Sequence, residues 1–126
     1  MKKVLFFVFL AAILSAACRT CPPVHNIEHQ PVAIQDIGLM RKAILAGASN
    51  KGWEVTEIGE GLIKAVLNVR AHQVVVEIPY GADYYSIIYK DSKNLRYNKK
   101  KGTIHPRYNT WIVYLQRSIN AQLGKM

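Results

Sequence analysis

Hydrophobic and polar positions follow each other along this chain in three different ways. Val4 to Leu14 is an unbroken apolar run. It is shorter than the about 20 apolar residues a membrane-spanning helix needs. From Gln35 to Asn50 the apolar positions recur at helical spacing: Ile37, Met40, Ile44, Leu45 and Ala48 form one stripe. Asp36 falls in the first turn, where the helix dipole favours an anion. Asn50-Lys51-Gly52 reads as a helix stop with Gly52 as the left-handed cap. From Trp53 to Asp91 the period drops to two. Trp53 to Ile58 opens this region, and Gly59-Glu60-Gly61 turns it. In Leu62 to Val69, Ile63, Ala65, Leu67 and Val69 share one face, and Lys64, Val66 and Asn68 the other. After Arg70-Ala71-His72, Val74, Val76 and Ile78 alternate with Gln73, Val75 and Glu77. Pro79 to Asp83 turns the chain again. Tyr85, Ile87 and Tyr89 then alternate with Ser86, Ile88 and Lys90. Short turns between such runs require antiparallel neighbours. A loop, Ser92 to Thr103, leads to a last helix. Pro106 suits its first position, Tyr108, Trp111, Ile112, Leu115, Ile119 and Leu123 make its stripe, and Gly124 stops it.

These elements predict an α+β fold: a four-stranded antiparallel meander with two helices packed on one face. Between Cys18 and Pro31, the prolines Pro22, Pro23 and Pro31 forbid a regular helix, so this stretch reads as a linker. Val24 to Glu28 also reads as a short edge strand, which would add a fifth strand at the N-terminal side.

Charge changes the picture in one place. The net charge is +9. From Cys18 to Asp91 basic and acidic residues nearly balance, whereas from Ser92 onward there is no acid. The candidate anion-binding residues are Lys93, Arg96, Lys99, Lys100, Lys101 and Arg107, interleaved with Tyr97 and Tyr108. Basic residues with aromatics can bind nucleic acid. The apolar run Val4 to Leu14 behind Lys2 and Lys3 reads as an export signal, and an exported protein rarely meets nucleic acid, so none is expected. Anionic lipid is the available partner, at about 1 kcal/mol per basic residue near a charged surface. The bland alternative is a solvated loop. On the polar-leaning sheet face, Val66, Val75 and Ile88 are candidate protein-docking residues, against the ordinary alternative of scattered surface hydrophobes.

Catalytic and metal chemistry find little support. His25-Asn26-Ile27-Glu28-His29 matches H-x-x-E-H, which would bind zinc on a helix. Pro23 and Pro31 leave no room for that helix, so no metal site is assigned. His72 reads as a turn residue and His105 as a helix-start residue. There is no G-x-S-x-G and no H-E-x-x-H. Neither of the two cysteines, Cys18 and Cys21, lies in the expected folded part, so no disulfide framework is expected. Cys21 reads as a spare thiol or a second acylation site. No catalytic residue and no cofactor are expected.

Lys2 and Lys3, the apolar run, and then Ser15-Ala16-Ala17-Cys18 resemble a bacterial lipoprotein signal. Leu14 sits one place early and Ser15 takes the position that usually holds Leu. Ser15-Ala16-Ala17 also suits ordinary signal peptidase. The resemblance implies a signal peptide over 1–17 and acylation of Cys18 by a diacylglycerol thioether and an amide-linked acyl chain such as palmitate. A lipidated tether over 18–31 and a single domain over 32–126 would follow. Arg19, in place of Asp, implies the outer membrane, facing the periplasm.

From Gly52 to Leu115 the chain also resembles a group of small uncharacterised proteobacterial lipoproteins. The likeness rests on Gly52-Trp53, Ala65 with Leu67, Arg70 with His72, Tyr85-Ser86-Ile87 with Tyr89, Ser92 with Asn94-Leu95, Tyr97, and Ile104-His105 with Tyr108-Asn109 and Trp111-Ile112. It implies an envelope lipoprotein and brings no activity with it. The order helix, meander, helix is similar to helix-grip domains. A non-enzymatic module that docks an envelope protein is therefore expected, with anionic-lipid binding as the alternative.

Overall fold

The computed structural model describes residues 20–126. The expected signal over 1–17 and acylation at Cys18 lie outside the described residues. In chain order the elements are β1 (Ile27–Pro31), α1 (Ile37–Asn50), β2 (Glu54–Gly59), β3 (Leu62–Val69), β4 (His72–Pro79), β5 (Tyr84–Lys93) and α2 (Pro106–Leu123). The strands form one five-stranded sheet in the order β1-β5-β4-β3-β2. Every pairing is antiparallel. The fold is α+β with a five-stranded antiparallel sheet and two helices.

Local chemistry sets the helix ends. The Asp36 side chain caps α1 by accepting a hydrogen bond from the Leu39 amide at 3.0 Å. At the other end Gly52 adopts φ 85, the left-handed conformation that glycine takes without steric cost. Pro106 opens α2, and His105 caps it by accepting from the Arg107 amide at 3.1 Å. Gly124 ends α2 in a right-handed conformation, not a left-handed cap.

The alternation read from the chain separates core from surface. Ile63, Ala65 and Leu67 of β3, Val74, Val76 and Ile78 of β4, and Tyr85 and Ile87 of β5 are buried. They join Met40, Ala43, Ile44 and Ala48 of α1 and Tyr108, Ile112, Leu115 and Ile119 of α2 in one core cluster. The helices meet closely: a Cβ on Gly47 would lie 2.7 Å from the Ile119 Cα. The Ser118 hydroxyl donates to the Gly47 carbonyl at 2.7 Å across this contact.

Three features depart from the sequence expectation. β5 carries a bulge: Val76 faces Tyr89 and Val75 faces Asp91, so Lys90 is the extra residue. The bulge shifts the phase of alternation, bringing Ser92 opposite the buried Val74. Leu95 and Ile104, within or beside the expected loop, are core residues.

The third departure is the expected tether. β1 spans Ile27–Pro31, later than Val24 to Glu28, and pairs with β5. Ahead of it, Pro23 bridges Thr103, the Ile104 amide donates to the Pro22 carbonyl at 3.0 Å, and the Val24 amide donates to the Gly102 carbonyl at 2.9 Å. Asn109 closes the contact, donating to the Pro23 carbonyl and accepting from the His25 amide. Proline lacks an N–H but keeps its carbonyl acceptor, so a proline pair can still line an edge. Residues 22–31 therefore belong to the folded domain. Cys21 is likewise not the spare thiol the sequence suggested; it is not free.

Candidate functional site

The basic segment is built as an ordered hairpin. From the end of β5, Asn94 (φ 60) donates its side-chain amide to the Ala71 carbonyl at 2.6 Å. Its own carbonyl lies 2.8 Å from His72 Nδ1. Leu95 is buried, and its carbonyl accepts from the His105 amide at 2.8 Å. Arg96 takes φ 54 beyond it. Asn98 then pairs with Thr103, and Lys99-Lys100-Lys101-Gly102 forms the tip. The Asn98 side chain accepts from the Lys101 amide at 3.0 Å, and Gly102 turns the chain with φ 65. Tyr97 packs at the base, 4.4 Å from the Tyr89 ring.

Lys93, Arg96, Lys99, Lys100, Lys101 and Arg107 are all exposed. Among the described residues the ion pairs are Arg41–Glu57 and Lys90–Glu77, and none of these six takes part. Topology brings them to one end of the sheet, with the β3–β4 turn, the end of β5 and the start of α2. Arg70, exposed at φ 55 in the β3–β4 turn, joins them there because Asn94 holds the neighbouring Ala71 carbonyl. Sequence reasoning missed Arg70. It belongs to the charge-balanced stretch, and only its φ and this hydrogen bond reveal its place.

The opposite end is acidic. Asp36 caps α1, Glu57 and Glu60 flank the β2–β3 turn, and Asp83 lies in the β4–β5 turn. The two turns are tied by the Tyr80 amide donating to the Gly61 carbonyl at 2.9 Å. Arg41 grips both carboxylate oxygens of Glu57, the second at 2.7 Å. That hydrogen bonding holds the Glu57 carboxyl below its ordinary range and the Arg41 guanidinium above its own. Both groups are exposed, so the pair adds little to stability.

The candidate docking residues are brought together in part. On the outward face Val66 lies directly opposite Val75, flanked by Glu54 across β2 and Asp91 across β5. Ile88 lies one row away, opposite Glu77, which is itself opposite Lys64. Lys90 Nζ approaches Glu77 at 3.8 Å. All three apolar side chains are half-buried. Ile37, read as part of the α1 apolar stripe, is instead 46% exposed at the first position of that helix, and Ile58 at the end of β2, which the alternation did not single out, is 51% exposed.

The histidines serve local structure. His72 is held by Asn94 and lies 6.0 Å from the Trp111 ring. His105 caps α2. His29, of the H-x-x-E-H match, stacks on Tyr84 at 4.0 Å. Among the described residues no three His, Cys, Asp or Glu side chains are grouped to hold a metal. Grooves of 320–360 Å³ lie along α2, and neither His72 nor His105 lines them.

Two buried phenols complete the picture. Tyr85 donates to Asn120 Oδ1 at 2.6 Å, whereas the Tyr108 hydroxyl has no hydrogen-bond partner among the described residues. Burial pushes both phenols well above their ordinary range.

Compared with protein-family models, curated proteins and solved structures, the chain matches none. Among the described residues no helix is long and apolar enough to cross a membrane.

Proposed function

We propose that this chain is a lipid-anchored envelope lipoprotein of the outer membrane, held on the periplasmic side, whose domain acts by binding and not by catalysis. In this reading it docks an envelope protein as an assembly accessory. The supporting observation is the pairing of Val66 with Val75 on the uncovered sheet face. Around this apolar centre stand Glu54, Asp91, Lys64 and Glu77, which supply the polar rim of a modest protein interface. Ile88 extends the centre along β5. The kinship with small proteobacterial lipoproteins belongs to the same reading. So does the helix-grip-like arrangement, supported by the close crossing of the helices at Gly47 and Ile119.

In-cell crosslinking from positions 66 and 75, with identification of partners, tests the docking face. One partner should be captured from both positions, and Val66→Asp should abolish its capture while leaving the melting curve intact. Unchanged recovery from the Val66→Asp protein would refute this face. The anchor is tested by intact mass: a Cys18→Ser protein that still carries the full acyl mass would refute acylation there.

A second reading is favoured by a separate observation. The side chains of Lys93, Arg96, Lys99, Lys100, Lys101 and Arg107 share one end of the sheet without an ion pair among the described residues. Such a surface suits anionic lipid headgroups.

A further inference from the structure

The anchor and the basic segment are separated by most of the sequence, yet the fold places their junctions side by side. Pro22 to Val24, where the chain enters the domain, run along Gly102 to Ile104, the return strand of the lysine hairpin. Cys18 lies only four positions before Pro22, with three residues between them, a stretch that spans at most about 14 Å when extended. That reach is less than two Debye lengths at physiological salt, about 8 Å each.

We propose that the Lys99-Lys100-Lys101 tip seats on the anionic headgroups of the membrane that holds the chain, so that the domain stands basic end down. This rests on the lipoprotein reading. Three further observations carry it. The tip is pinned by Asn98, so little ordering is needed on contact. Its lysines have no carboxylate partner to give up among the described residues. The far end carries Asp36, Glu60 and Asp83 without an ion pair among the described residues, and an anionic surface repels them. The outward face with Val66 and Val75 then stands upright, clear of the lipid and open to a partner.

The test uses the mature protein purified from membranes, its acyl content established by intact mass, and reconstituted into vesicles. Amide hydrogen exchange is followed at the Asn98–Thr103 tip and at the Gly59–Gly61 turn of the far end. On vesicles with 30% phosphatidylglycerol the tip should exchange at least about tenfold more slowly than on pure phosphatidylcholine, since a few basic contacts of this strength suffice. The far turn should not change. The difference should shrink in 0.5 M salt and vanish in the Lys99→Gln/Lys100→Gln/Lys101→Gln protein, whose substitutions are exposed and leave the fold intact. Equal exchange at the tip on both vesicles would overturn the seat, as would equal slowing at both ends. Slowing by soluble polyphosphate with none on vesicles would move the site to a polymer and overturn the lipid assignment. Acyl chains missing from the intact mass would refute the anchor, an outcome distinct from a failure of the seat.

Discussion

The two faces of the sheet come from the same strands and carry similar apolar residues, yet they have different fates. Inward, Val76 meets the helices and is fully buried; its neighbour Val75 points outward, opposes Val66 and stays half-buried. Strand alternation assigns a side to each residue, but it does not say which side becomes core. Coverage decides that, and here both helices contribute to the one cluster formed by the inward side chains.

The sharpest way to break this comparison is to place the same charge on both neighbours. Val76→Asp buries a carboxylate without a partner and should cost more than about 4 kcal/mol, enough to prevent folding. Val75→Asp should stay within about 1 kcal/mol of the parent, because water still reaches that side. Circular dichroism and urea midpoints of the two proteins decide it. Two similar midpoints would mean that the faces are not distinct.

A smaller effect is expected where the two covering helices touch at Gly47. Gly47→Val would drive a branched side chain into the Ile119 backbone. Overpacking of this kind costs about 3 kcal/mol, a fall of roughly 10–20 °C in Tm for a domain of this size. An unchanged Tm would show that the helices can part without loss.

The smallest effects concern the phenols of the covered face. Tyr85 and Tyr108 have folded pKa values above the unfolded one, so their contribution is complete below about pH 10 and is lost as pH rises beyond it. The unfolded chain releases phenolic protons first, and stability should therefore fall as pH rises above about 10 in urea titrations. Tyr108→Phe removes a buried hydroxyl that has no partner among the described residues. It should be neutral or stabilising by up to about 1 kcal/mol at pH 7, and should flatten the alkaline loss. A clear loss of stability at pH 7 would mean that the hydroxyl is satisfied after all.

Much of this fold is legible in the chain. The helical stripe from Ile37 to Ala48 and the alternation through β3 and β4 depend on neighbours close in sequence, so periodicity reveals them. The edge that β1 joins does not show in its own residues, because its partner β5 lies more than 50 residues away. The Lys90 bulge is invisible for the same reason: alternation alone cannot mark the extra residue. Leu95 and Ile104 look like loop residues until Pro22 and His105 hydrogen-bond around them. Of the candidate site, the lysines and arginines after Ser92 are legible as charge. Arg70 and the hairpin geometry are not. The docking residues are legible as a face, but the row that separates Ile88 from the valine pair follows from register.

By itself, the sequence determined the elements and their faces, since these follow from side-chain periodicity, capping residues and turn chemistry within a few residues. It also concentrated basic charge after Ser92. Only the tertiary structure decided that Gly47 is where the helices meet and that the proline-rich entry segment lies against the hairpin. It also decided that Arg70 and the basic side chains after Ser92 share one end of the sheet, with Asp36, Glu60 and Asp83 at the other. Each of these depends on contacts between residues far apart in the chain, and no local pattern encodes the distance between them.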